Sequence, residues 1–391
     1  MLLCLWPGFG DVFLNPNGYL FANSGDGLKN YFNFGYYLKY DTGFKFSAIN
    51  YPYGDHLLFT DTHPLLAYLL NLVDDHLFEL APNSAGIINL AILLGVVAGA
   101  LVLYLILRHY SLPVWYSVII AVCVTLLSPQ WDRIHGHLSL SYVFIIPLFW
   151  YLVIRYEQGR SRILYWCLLF FYTLIVGGIH IYYVAICAAF MLAYVFVNLV
   201  RNKDRRSVYL TLSLSVILPL ALYQTITIAT DFIPDRPDSP YGFYTYYATL
   251  ASVFLPHISS SADVVNHILQ PNLSWEGRAF VGTPALIFII GLIVFYAQRL
   301  RQKVVGAQVE IPTSLSAIFW ASGIVLLFSM CIPFKWGLQF LTELIPPLKQ
   351  FRALGRFSWI FFYVVNVSAA WTFFHLFNQL RKSAPGWYSV V

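Results

Sequence analysis

The sequence predicts an all-α polytopic membrane protein with about nine to ten transmembrane helices, on three observations. First, the 391 residues are 59% hydrophobic and only 10% charged, with a mean hydropathy of +0.67, against roughly 25% charged residues in soluble domains. Second, apolar runs long enough, or nearly long enough, for the roughly 20 residues of a membrane crossing recur along the chain. Third, the breaks between those runs alternate in charge.

The runs lie near 86–107, 113–128, 139–154, 163–177, 179–199, 207–229, 281–298, 313–331 and 357–380. Residues 1–14 form a shorter apolar stretch interrupted by Pro7, Gly8, Gly10 and Asp11, read as a partial first helix whose start precedes the chain. Assigning the breaks alternately to two sides places 13 Lys and Arg against three acids on one side, a net of +10. The other side carries ten basic and 15 acidic residues, net −5. Short cytoplasmic loops collect positive residues, so the first side is assigned to the cytoplasm. The long loops 15–85, 129–138, 230–280 and 332–356 then lie outside, in one transmembrane domain spanning 1–391. Within the first loop, 27–40 and 64–73 read as interfacial helices, the second led by Pro64 at a helix-start position.

A net charge of +5 is too thin for a nucleic-acid partner. No P-loop or GxGxxG is present, and no GxSxG or Cys/His arrangement offers a nucleophile. Five cysteines without metal-ligand spacing read as small apolar fillers.

Ionisable residues at membrane depth are costly and mark functional sites. In Ser24-Gly25-Asp26-Gly27-Leu28-Lys29, Asp26 between two glycines is a candidate general base or a helix N-cap, with Lys29 one turn on. The segment from Asn50 to Pro64 carries Asp55, His56, Asp61 and His63, which suit a substrate or a divalent cation such as Mg or Mn; capping and turn roles compete for both acids. The segment Trp131-Asp132-Arg133-Ile134-His135-Gly136-His137 precedes a span and offers fork donors to an anionic head group, or weak metal ligands. His180 follows Gly177-Gly178 between two apolar runs and suits a core position as well as a ligand. Trp275-Glu276-Gly277-Arg278 opens a later span. Arg352 and Arg356 stand four apart, on one face if helical, ready for phosphate or for pairing with Glu276 or Glu343.

The segments SGDGLKNYFNFGYY, INYPYGDHLLFTDTHPLL, WDRIHGHLSLSYVFIIPLFWYL, WEGRAFVGTPALIF and FRALGRFSWIF, spread over residues 24–361, resemble bacterial members of the GT-C class of polytopic glycosyltransferases. The resemblance implies a donor that is a polyprenyl-phosphate-linked sugar, a saccharide, lipid or protein acceptor, and an active site on the outer, periplasmic face of the bacterial inner membrane. It carries the early catalytic acid onto Asp26, a later loop acid onto Asp61, and phosphate binding onto Arg352 and Arg356; Asp26, Asp61 and His63 are the candidate ligands if a cation is used. The tight Asp-x-Asp of some members is absent. The competing expectation is a lipid-linked saccharide or polymer transporter, which needs ionisable groups along a mid-membrane path.

The charge split fixes an orientation test. A cysteine replacing Arg205 should label only from the cytoplasmic side and one replacing Ser260 only from outside; the reverse pattern would move every candidate residue to the cytoplasmic face.

Overall fold

The computed structural model describes residues 1–74, 79–159, 161–201, 205–237, 239–256, 275–302 and 311–383; Ser260 and the rest of 257–274 lie outside them. The described chain is mostly helical, its one sheet a two-residue antiparallel ribbon pairing Lys45 with His56 and Phe46 with Asp55. The principal helices are α1 (Leu2–Leu14), α2 (Gly25–Tyr40), α3 (Pro64–Asp74), α4 (Ser84–His109), α5 (Val114–Leu126), α6 (Ile145–Glu157), α7 (Arg162–Ile179), α8 (Ile181–Arg201) and α9 (Arg206–Thr230). They are followed by α10 (Leu250–Phe254), α11 (Thr283–Gln302), α12 (Thr313–Ser329), α13 (Leu341–Leu344) and α14 (Trp359–Ser383).

Among the described residues, seven segments are long and apolar enough to cross a membrane: Ala81–His109, Val114–His135, Leu138–Glu157, Arg162–Ile179, Ile181–Arg201, Arg206–Thr230 and Leu354–Arg381. Two further expected spans are shorter apolar helices, Thr283–Gln298 and Thr313–Ser329, as is Leu2–Leu14. The expected interfacial helices form as α2 and α3, with Pro64 at the start of α3. The break between α7 and α8 falls at His180, which is extended (φ −159°, ψ 131°), and not at the preceding glycines, which stay helical.

Helices that long need buried partners on some faces and lipid on others. α8 is well enclosed, with Tyr183, Phe190, Met191 and Tyr194 buried, and it packs against α9, α12 and α7. Its neighbours keep apolar exposed faces, such as Leu164, Leu168, Phe171 and Ile175 along α7. Polar pins fix the bundle where lipid cannot satisfy the backbone. Buried Gln130 donates to the Tyr142 carbonyl (2.8 Å) and the Tyr183 hydroxyl (3.0 Å) and accepts from the Tyr363 hydroxyl (2.8 Å), joining the α5–α6 connection to α8 and α14. Asn89 on α4 donates to the carbonyls of Pro16 and Tyr19, both at 2.8 Å, and accepts from Tyr31. The first loop is therefore held down at its start and at α2.

One end of the bundle gathers the four long loops. α2 abuts Gly136, Arg236 reaches Asp55, and the 276–277 turn abuts Gly355. The opposite end gathers the short basic breaks, with Gln158 bonded to His109 at 3.1 Å and Arg201 to Ser316 at 3.4 Å. The five cysteines are free; Cys187 and Cys331 are buried fillers, whereas Cys4 and Cys123 are exposed.

The contact at Gly355 admits no side chain. A β-carbon there would lie 2.6 Å from Gly277 Cα, 2.8 Å from its nitrogen and 2.9 Å from the Glu276 carbonyl oxygen, all backbone. Gly355→Ala should cost about 1–3 kcal/mol by overpacking. Gly323→Ala in α12, with nothing within 4 Å, should leave the unfolding midpoint level or raise it slightly. Thermal unfolding in detergent compares them, and equal midpoints would refute the packing described.

Candidate functional site

The local sequence first determines how Asp26 is presented. Gly25 takes a left-handed conformation (φ 55°) that turns the chain into α2, and Gly27 lets α2 approach Gly136, since a β-carbon at 27 would meet Ala22 Cβ at 2.2 Å and Gly136 Cα at 3.5 Å. The N-cap is Ser24, so Asp26 sits inside the first turn and does not cap. A carboxylate there suits the positive end of the helix dipole. Its side chain is 54% exposed and ion-paired to Lys29 at 3.1 Å.

Lys29 also reaches Asp61 at 3.4 Å. Burial opposes the Lys29 charge, but the two carboxylates outweigh it and hold the ammonium above the ordinary lysine value. Asp61 itself sits in a left-handed turn (φ 57°) before α3, its side chain 27% exposed. His180 contacts its second oxygen at 3.1 Å. The tautomer follows from the other ring nitrogen, because His180 Nδ1 accepts the Tyr182 N–H at 3.2 Å, leaving Nε2–H as the donor to Asp61. Burial would raise the Asp61 carboxyl; the His180 hydrogen bond and the Lys29 charge overcome it and keep the group well below the usual carboxylate range.

The second half of the site centres on Glu276. Arg356 grips its carboxylate through Nε (2.8 Å) and Nη2 (3.0 Å), His137 through Nε2 (3.2 Å), and Arg133 Nη1 stands 3.6 Å away. Arg133 is fully buried, its guanidinium 4.2 Å from the Trp275 ring centre and bonded to the Trp275 carbonyl at 2.9 Å. Arg356 lies 4.4 Å over Tyr182, whose hydroxyl accepts the Ala353 N–H at 2.6 Å. The halves are neighbours: Asp61 lies within electrostatic reach of both His137 and Arg356. Burial would raise the Glu276 carboxyl, but the hydrogen bond from His137 and the two guanidiniums hold it far below its ordinary 4.5.

Several expected residues fall outside this constellation. His63 is fully buried between Phe34 and Tyr142, with ring centres at 5.9 and 5.5 Å, and burial pushes it down to about 3; it is packed away from substrate. His56 stacks on Phe44, and because its Nδ1 accepts the Leu58 N–H its Nε2–H donates to Thr230 at 2.8 Å. Asp55 pairs with Arg236 at 2.6 Å, and Arg236 also pairs with Asp231, so this group clasps the first loop to the end of α9. His135 is exposed while its partner in the His-x-His, His137, turns to Glu276. Arg352 and Arg356 do not share a helical face, because 351–353 is not helical. Arg352 is exposed and donates to the Tyr241 carbonyl at 2.8 Å, and Lys349 takes Glu343. Arg278 stands beside the Glu276 turn, its Nε finding no hydrogen-bond acceptor among the described residues. Among those residues no three His, Cys, Asp or Glu side chains gather as a cation site, so Asp26, Asp61 and His63 do not form a ligand set.

Tyr182, Trp275 and Arg236 are the residues that sequence reasoning missed. An arginine set between Asp231, Asp235 and Asp238 was the one available signal for Arg236.

Glu276→Gln isolates the charge. The variant keeps the shape but leaves two buried guanidiniums unneutralised, a loss of about 3–5 kcal/mol that should lower the unfolding midpoint in detergent. A carboxyl depressed on folding contributes fully above its unfolded value and loses that contribution as pH falls. Wild type should therefore weaken selectively below pH 4.5, the ordinary value, and the Gln variant should not share that added acid sensitivity. An unchanged midpoint for the variant would contradict the assignment.

No curated protein and no solved structure matches this chain. A family model does match, over residues 1–387, and the chain belongs to the family described as domain of unknown function DUF6311.

Proposed function

We propose that the protein is a membrane glycosyltransferase that moves a sugar from a polyprenyl-phosphate-linked donor to an acceptor hydroxyl at the end of the bundle where the long loops meet. The observation that carries this reading is the half-exposed Asp26 carboxylate, held at a helix start by Lys29 and Asp61 and packed through Gly27 onto the cationic group around Glu276. Transfer needs a base beside the acceptor and positive charge beside the departing phosphate.

In this scheme Asp26 takes the acceptor proton as the acceptor oxygen forms its bond to the anomeric carbon. The bond from that carbon to the phosphate oxygen breaks, and the lipid phosphate leaves with the electron pair. Arg356 is committed to Glu276 and serves as a frame, so exposed Arg352 and half-buried Arg278 are the groups offered to phosphate. Asp61 and His180 position Lys29, and through it Asp26. A through-path transporter is less well supported, because the charged side chains of the described spans cluster in their end turns, as with Arg108, Arg133, Arg155, Glu157 and Arg356. The basic breaks at the opposite end support a site on the outer face of the membrane by the charge rule.

The decisive variant is Asp26→Asn, since asparagine preserves helix-start chemistry but cannot accept the proton. Release of polyprenyl phosphate from a lipid-linked sugar, assayed with the protein in liposomes and membrane extract as acceptor source, should fall by about 10²- to 10⁴-fold with an unchanged unfolding midpoint. Turnover equal to wild type would remove Asp26 as the base. Arg352→Lys should also impair release, because lysine cannot reproduce a bidentate fork.

A further inference from the structure

The connection between α12 and α14 carries an exposed apolar surface that neither the spans nor the site uses. Trp336 is 75% exposed, Phe340 58%, Leu344 71% and Ile345 57%, with Leu338 at 39%. These five large side chains fall within ten residues. The segment is nonetheless anchored. Thr342 is buried and pairs with the Tyr244 hydroxyl at 3.2 Å, and Gln350 donates to the Pro237 carbonyl at 3.1 Å. Phe334 packs beneath it against Phe243 and Phe328, with ring centres at 5.6 and 6.0 Å. Anchored backbone that presents apolar side chains outward is a binding surface.

Two features identify what covers it. The surface continues directly from the end of α12, whose Trp320, Ile324 and Leu327 are likewise exposed and face the hydrocarbon if the helix is embedded. It is also flanked by cations: Lys335 held over the Tyr247 ring at 3.4 Å, Lys349, and exposed Arg352, against the single acid Glu343. A tryptophan, aliphatic side chains and a net positive flank are the pattern of an element lying in the headgroup region of an anionic leaflet. We infer that residues 334–350 form an interfacial wedge, with Trp336, Phe340 and Leu344 inserted at the headgroup–acyl boundary of an anionic bilayer surface. This inference needs only that the bundle is embedded and stands apart from the transferase reading. It adds that the 351–356 stretch of the candidate site leaves directly from lipid.

The test places an environment-sensitive fluorophore on the full chain in nanodiscs. Cys4, Cys123 and Cys167 are replaced, buried Cys187 and Cys331 are kept, and single cysteines are introduced as Phe340→Cys or Leu344→Cys, with Arg205→Cys at the opposite end as the aqueous reference. Both wedge probes should emit blue-shifted light and be quenched by spin-labelled lipid with the label high on the acyl chain more than by one labelled deep, while the Arg205 probe is quenched by iodide. In nanodiscs of phosphatidylcholine alone the wedge probes should lie shallower than in nanodiscs containing phosphatidylglycerol. Solvent-like emission and iodide quenching at both wedge positions would overturn the wedge, and equal depth in the two lipids would overturn its assignment to an anionic surface.

Discussion

The carboxylate of Glu276 is the constraint on which the functional end of the molecule depends. It is shared by Arg356, Arg133 and His137, groups that come from the start of the last span, the α5–α6 connection and, through its own backbone, the turn before α11. Neither guanidinium would be tolerated at such burial without it. Because the Glu276 turn also lies against Gly355 and feeds its carbonyls to Arg133, one ionic centre fixes the relative positions of three connections far apart in sequence. The neighbouring acid pair, with Asp61 half-buried and Asp26 more open to solvent, is arranged on that fixed base.

A bundle of apolar helices gives little directional guidance, since packing in lipid lacks the hydrophobic driving force available in water. Here polar side chains supply it. Gln130, Asn89 and Arg133 each satisfy several backbone or side-chain partners, and each sits where a helix gives way to a loop. The aromatic residues complete the same scheme: Trp275 and Tyr182 present ring faces to the two guanidiniums, which allows charge to be buried without a carboxylate for every cation.

Much of this was legible in the sequence, and the division between what was and what was not has a physical basis. Helix periodicity and apolar length are local properties, so α2, α3 and the long spans follow from composition and from signals such as Pro64. Charge separation between the two ends is a summed property and also survives without a structure. The pairing of Arg356 with Glu276 was open as an alternative to phosphate binding, and the geometry selects it. Spacing misled where side chains turn away from one another: His135 and His137 diverge, Arg352 and Arg356 are not joined by a helix, and His56 and His63 are aromatic packing partners instead of ligands. Long-range partners such as Arg236 for Asp55 carry no local signature at all, because the two residues, 181 positions apart, are brought together only by the bundle.

The proposed transfer reaction requires that the end holding Asp26 receive a lipid-linked phosphate. Electron cryomicroscopy of the protein in nanodiscs with saturating polyprenyl phosphate tests it most directly. The account predicts phosphate density facing Asp26 within hydrogen-bonding reach of Arg352 or Arg278, with the polyprenyl chain running from it into the bilayer. Density instead at the opposite, arginine-rich end around Arg201 and Arg205, or an unoccupied Asp26 end under saturating lipid, would contradict it.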